Sequence, residues 1–162
     1  EISACLVGSE MCIRDRTFSK ARSMAGMRIG YAVSNPELIR CLNDVKYSFN
    51  SYTMNQTSLV LGAEAVKDRD YFEECTGKII RTRTWAAEAL KALGFEFNEP
   101  WANFIFATHP SYPARELFEA LRKENIYVRY FNLPRIDNYL RITVGTDSEM
   151  ETLIHFLKEY VK

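Results

Sequence analysis

The feature that most constrains this chain is a change of rhythm at Gly94. From Asp70 to Leu93, apolar residues recur at helical spacing: Phe72, Cys75, Ile79, Ala86, Leu90 and Leu93 share one face. Gly94 supplies the C-terminal cap. Gly77 lies inside the pattern and weakens it without ending it, because glycine costs about 1 kcal/mol relative to alanine in a helix interior. Beyond Gly94, short apolar and aromatic runs take over. Phe95–Phe97, Asn103–Ala107, Ile126–Tyr130 and Tyr139–Val144 read as strands. Pro113–Glu124 reads as a helix burying Leu117, Phe118 and Leu121. A final helix opens on Asp147 as N-cap, with Glu149 and Glu151 in its first turn, and carries Met150, Leu153, Ile154, Leu157 and Val161 at helical spacing. The order β-β-α-β-β-α over 95–162 predicts a small α+β layer with its helices on one face.

Upstream of the long helix the chain is helix-rich. Asn35-Pro36 forms a good helix start, since asparagine accepts from free amides and proline at the first position sacrifices no bond. Leu38, Ile39, Leu42 and Val45 follow on one face, and Asn55 to Val66 reads as another helix. Residues 1–16 show no periodicity, although Ala4–Val7 could form a short strand before Gly8-Ser9-Glu10. Two lobes are expected, with a boundary near 70–94.

Charge narrows the partners. The 162 residues carry 21 Lys+Arg against 21 Asp+Glu, and a balanced chain lacks the bulk field that draws nucleic acid or anionic membrane. No apolar run approaches the ~20 residues of a membrane span, and no signal peptide opens the chain. Cys5, Cys12, Cys41 and Cys75 have no CxxC spacing and no neighbouring histidine, so neither a metal site nor a disulfide framework is expected. His109 precedes Pro110 in a loop and His155 sits on the last helix facing solvent; neither has a catalytic neighbour in sequence. A cytoplasmic protein with free thiols is the consistent expectation.

The segment with chemistry is Thr17–Tyr31, Thr-Phe-Ser-Lys-Ala-Arg-Ser-Met-Ala-Gly-Met-Arg-Ile-Gly-Tyr. A nucleophilic lysine reacts as the neutral amine. Small and hydroxyl residues beside it let backbone approach a phosphate, and arginine adds bidentate charge. A lysine for an aldehyde and a serine–arginine pair for a phosphate describe a pyridoxal-phosphate site. The string resembles the lysine motif of the fold-type I aminotransferases, S-K-x-x-x-x-[AG]-G-x-R-x-G-[YF], from Ser19 to Tyr31. The resemblance implies an α/β fold. It also implies that Lys20 bonds covalently to pyridoxal 5'-phosphate while Ser19, Arg28 and Thr17 hold the cofactor phosphate. A second string, Tyr139-Leu-Arg-Ile-Thr-Val-Gly145, resembles the family segment whose arginine grips the substrate carboxylate, which puts that role on Arg141.

Three further strings resemble the histidinol-phosphate aminotransferases. They are Tyr52-Thr-Met-Asn55, Ala102-Asn-Phe-Ile-Phe106, and Ile126-Tyr-Val-Arg129 with Asn125 where glycine usually stands. By that resemblance Arg129 contacts the substrate phosphate, and Tyr52 and Asn55 join the substrate site. The implied reaction moves an amino group from glutamate to imidazole-acetol phosphate, giving 2-oxoglutarate and histidinol phosphate. The family works as homodimers on small-molecule substrates.

The resemblance covers 17–162, the trailing part of a family member. It divides the chain into an unmatched 1–16 that looks artefactual, a large-domain segment 17–70, an interdomain helix 71–94 and a small domain 95–162. The family's ring-pairing Asp, stacking aromatic and phosphate-binding turn lie upstream, and the chain opens on Glu1 rather than Met. A truncated enzyme that binds pyridoxal phosphate poorly by itself is therefore expected. The same lysine and arginine strings serve threonine-phosphate decarboxylases and aromatic or aspartate aminotransferases. A non-enzymatic α/β interaction module built on 95–162 is the alternative from a different class; loss of cofactor absorbance on Lys20→Ala separates the two.

Overall fold

The computed structural model describes residues 12–161; Cys5 and the candidate strand Ala4–Val7 lie outside them. Two compact units divide the chain after Glu73.

In the first unit, β1 (Arg14–Thr17) pairs antiparallel with β2 (Gly30–Val33). The strand thus begins inside the stretch for which no periodicity was visible: Arg14-Asp15-Arg16 offers no apolar alternation, so only its pairing defines it. Helices α1 (Pro36–Phe49) and α2 (Gln56–Lys67) follow. Each has an asparagine N-cap: Asn35 Oδ1 accepts from Leu38 N at 2.8 Å, and Asn55 Oδ1 from Ser58 N at 2.7 Å. The apolar face expected on α1 is present but not buried; Leu38 and Ile39 are half-covered, while Leu42 and Val45 are exposed.

Helix α3 (Arg69–Ala92) runs unbroken through Gly77, as the helical pattern over Asp70–Leu93 leads one to expect. The residues around Gly77 keep the ladder intact, and a glycine's cost of about 1 kcal/mol is small beside the burial of Ala86, Ala87 and Leu90 farther along the same helix. The helix ends as the sequence requires. Gly94 takes φ +85°, its N–H reaches Lys91 O at 3.0 Å, and Phe95 N–H reaches Leu90 O at 3.1 Å. This is a Schellman closure.

The second unit holds a three-stranded antiparallel sheet of β3 (Phe104–Ala107), β4 (Arg129–Tyr130) and β5 (Leu140–Thr143), ordered β3-β5-β4. Helices α4 (Ala114–Lys123) and α5 (Asp147–Tyr160) complete it. Strand alternation sends Ile105, Ala107, Leu140 and Ile142 into one core with Leu90, Leu117, Leu121, Leu153 and Leu157. Two expected strands shrink. Phe95–Phe97 contributes a single bridge, Glu96 to Thr108, and Ile126–Tyr130 pairs only from Arg129. The reason at the second is a further Schellman closure, with Asn125 at φ +60° and Ile126 N–H on Leu121 O at 2.9 Å. The N-cap of α5 is Thr146 rather than Asp147, because Thr146 and Glu149 form a reciprocal capping box. His109 lies in the loop after β3, as expected, but it is buried there. Its Nε2–H donates to Leu93 O at 3.1 Å, its Nδ1 accepts from Ser111 N at 3.1 Å, and Phe95 and Tyr112 flank the ring. His155 is exposed, as expected.

Cys41 and Cys75 carry free thiols. Among the described residues there is no cluster that could hold a metal ion, and no helix is long and apolar enough to cross a membrane.

Candidate active site

The lysine segment is the loop between β1 and β2. Buried Phe18 and Ile29 pin its two ends, with Phe18 N–H on Ile29 O at 3.1 Å. Inside it, Met24 N–H bonds Phe18 O at 3.0 Å and Ser23 N–H bonds Lys20 O at 3.0 Å. Backbone at Ser23 and Arg28 is left-handed, φ 55° at each, which turns the chain twice within a few residues. Gly30 sits where a Cβ would stand 3.0 Å from the Arg16 carbonyl oxygen, so any larger residue would push the paired backbone apart by a few tenths of an ångström.

The polar groups of the loop are arranged as donors. Thr17 Oγ1 donates to Ser19 Oγ at 2.8 Å and accepts from Ser19 N–H at 3.1 Å. The Ser19 hydroxyl hydrogen is then left to donate outward. Arg28 spends one Nη1 bond on Ala25 O at 2.9 Å, and the rest of its fork is open. Lys20 is exposed and its ammonium is in no ion pair among the described residues. Two supports hold the loop to its neighbours. Ser58, almost wholly buried, donates from Oγ to Met27 O at 3.0 Å, and its own N–H is capped by Asn55. Arg22 lies 4.0 Å over the Phe72 ring and donates to Ala65 O (2.5 Å) and Asp68 O (3.2 Å), filling the end of α2.

The second group occupies the sheet face opposite the core. Arg141 on central β5 stands in register with Phe106 of β3 on one side and Arg129 of β4 on the other. Side chains directly across an antiparallel pair share a face, and like charges there repel. No acidic side chain pairs with either arginine among the described residues. Aromatic rings surround them instead. The Arg141 guanidinium lies 5.7 Å from the Phe104 ring and 5.9 Å from Phe131, and Arg129 lies 5.5 Å from the same Phe131 ring. Arg141 Nε is buried without a hydrogen-bond partner.

Lys20, Ser19, Thr17 and Arg28 thus come together on one loop, with Asn55 joined to it through Ser58. Arg129 and Arg141 come together on one sheet face in the other unit. Tyr52 stands apart, almost fully exposed, with only its N–H bonded, to Asn50 Oδ1. Sequence reasoning missed Ser58, Arg22 and the rings Phe104, Phe106, Phe131 and Tyr139. Alternation along Phe104–Phe106 and Arg129–Phe131 was a usable signal for the rings; nothing in sequence marked Ser58.

The chain matches the family model for aminotransferase class I and II over residues 9–157. It is 50% identical over 146 residues to a histidinol-phosphate aminotransferase of Clostridium botulinum, covering 90% of this chain and 41% of that protein. The chain therefore spans about two-fifths of the length of the relatives it matches. The crystal structure of the histidinol-phosphate aminotransferase from Sinorhizobium meliloti, in complex with pyridoxal-5'-phosphate, aligns with TM-score 0.79 and 28% identity over 96% of this chain and 42% of that one. That from Clostridium acetobutylicum aligns with TM-score 0.86 over 99% of this chain and 48% of that one; its 22% identity speaks to fold alone.

Proposed function

The chain belongs to the class I and II aminotransferases, with their fold-type I architecture, and from that we propose that it contributes the lysine loop and the substrate-arginine domain of a histidinol-phosphate aminotransferase. In this reading residues 17–70 are large-domain segment, 71–94 the interdomain helix and 95–162 the small domain. The enzyme moves an amino group from glutamate to imidazole-acetol phosphate, and works in the cytoplasm as a homodimer.

The loop suits pyridoxal phosphate. The Ser19 hydroxyl and the Arg28 fork are donors without an acidic partner, as an incoming phosphate dianion requires. Thr17 orients Ser19, and Lys20 is exposed and in no ion pair among the described residues. When bound, pyridoxal phosphate supplies an aldehyde for amino groups and an electron-withdrawing ring. With the group bound, Lys20 Nζ would take the proton from the substrate Cα as general base and give it back as general acid.

The observation that carries the substrate reading is the register pair Arg129–Arg141, two arginines opposite each other on adjacent strands with no acidic partner among the described residues. Glutamate brings a carboxylate for Arg141. Imidazole-acetol phosphate brings a dianion for Arg129, and two charges to neutralise explain a second arginine. Assay of the full-length enzyme with imidazole-acetol phosphate, and with L-threonine phosphate as the competing substrate, tests this. Arg129→Leu is expected to lower kcat/KM for the phosphorylated substrate by about 10- to 100-fold while sparing the glutamate half-reaction. Arg141→Leu impairs glutamate. Equal loss in both half-reactions for Arg129→Leu, or turnover of L-threonine phosphate alone, overturns the assignment.

A further inference from the structure

Arg129 and Arg141 stand opposite each other across β4 and β5, and no acidic side chain pairs with either among the described residues. Their common neighbour is Phe131. One ring lies 5.5 Å from the Arg129 guanidinium and 5.9 Å from that of Arg141, both inside the ~6 Å over which a ring face attracts a cation. Phe131 follows Arg129 by two residues and so returns to the same face of the chain. The ring is itself held. Phe106 meets it edge-on at 6.3 Å, and Phe106 stacks on Tyr139 at 4.7 Å with the planes 11° apart. Tyr139, Phe106 and Phe131 form a row that ends on the two guanidiniums.

We propose that Phe131 is a positioning residue that holds both arginines ready for substrate anions, its negative ring face offsetting their mutual repulsion. This rests on the reading of Arg129 and Arg141 as the substrate-anion residues. An acidic side chain in the same place would also quiet the repulsion, but it would neutralise the charges the substrate needs. A ring does so without competing for hydrogen bonds. The buried Arg141 Nε fits this role. With no hydrogen-bond acceptor beside it, its favourable neighbours are Phe104 and Phe131.

Leucine separates ring electrostatics from packing, since it keeps apolar bulk and loses the π face. The 162-residue chain is titrated with inorganic phosphate while the Nε–Hε resonances of Arg129 and Arg141 are followed. In the unsubstituted chain both resonances carry a ring-current displacement and move saturably with phosphate. Phe131→Leu is expected to abolish the displacement and weaken phosphate binding about three- to tenfold, whereas Phe131→Tyr keeps both within about twofold. If Phe131→Leu loses the dispersed amide resonances of β3 and β5, Phe131→Met replaces it under the same criteria. A folded leucine or methionine variant that binds phosphate like the parent overturns the proposal, as does absence of saturable binding by the parent. These readouts need no turnover. Should the full-length enzyme fail to aminate imidazole-acetol phosphate while Phe131→Leu still weakens phosphate binding, the substrate reading falls and the role of Phe131 stands.

Discussion

Asn125 stands where the resemblance described above puts glycine, and its backbone accounts for either residue. At φ +60° it closes α4, and asparagine is the side chain that tolerates this region best after glycine. Asn125→Gly should therefore leave thermal stability nearly unchanged. Asn125→Val, β-branched and left-handed, should cost about 1–2 kcal/mol in chemical denaturation. Thr146 offers a pH-dependent counterpart. Its backbone N–H (2.7 Å) and then its hydroxyl (2.9 Å) bond Glu149 Oε2, and together they hold that carboxyl below the usual carboxylate range. A depressed carboxylate pKa contributes stability that is complete above the unfolded value and is lost as pH falls through the folded one. Thr146→Ala is expected to cost about 1 kcal/mol near neutrality. The gap between variant and parent should narrow on acidification below about pH 4, as melting curves at pH 7 and pH 3 would show. A gap that widens toward acid contradicts the assignment.

At the scale of elements, α3 offers the cleanest test. Gly77 is interior to it, and a Cβ there would meet only the far end of Arg81 at 3.5 Å, ordinary contact with a flexible side chain. Gly77→Ala should stabilise the protein by about 0.5–1 kcal/mol, read as a raised Tm. The opposite is expected at Gly94. There φ is +85° and a Cβ would stand 3.0 Å from His109 Nε2, so alanine must both strain the backbone and push the ring from its bond to Leu93. Both glycines lie in one helical pattern, and sequence marked them differently for a sound reason: Gly94 ends the periodicity, Gly77 does not. What sequence misjudged were the short elements. Phe95–Phe97 and Ile126–Val128 have the composition of strands, yet each follows a Schellman turn that fixes where the chain leaves the helix, and pairing begins only where the direction allows. The lysine loop was legible because its spacing is local, every residue from Ser19 to Tyr31 lying in one continuous string. The aromatic setting of the arginines was not, because Phe104, Phe131 and Arg141 meet only through the β3-β5-β4 order, which no local spacing encodes.

Across the whole molecule the two units differ in what holds them. Buried apolar side chains of the second unit run continuously from Ala86 on α3 through Ile105, Leu117, Leu140 and Ile142 to Leu157 on α5. In the first unit, Phe18 and Ile29 are the buried large apolar side chains among the described residues, while Leu42, Val45, Leu59, Val60 and Val66 are exposed. Apolar burial is the main favourable term in folding, so resistance to opening should follow this division. Native-state hydrogen exchange is expected to show the slowest amides in β3, β5, α4 and α5, and fast exchange through α1 and α2. Leu157→Ala removes a wholly buried side chain and should lower the protection of the slow set by about 2–5 kcal/mol, leaving α1 and α2 amides unchanged. Uniform loss across both units would mean that they unfold as one. The division bears on the proposed chemistry, because the two arginines proposed to bind substrate anions sit on the sheet of the better-packed unit, whose packing would preorganise them. The lysine loop is held instead by Phe18, Ile29, Ser58 and Arg22. Ser58→Ala, which leaves Met27 O without its donor, should accelerate exchange at the loop amides of Ser23, Met24 and Met27 while β5 stays protected.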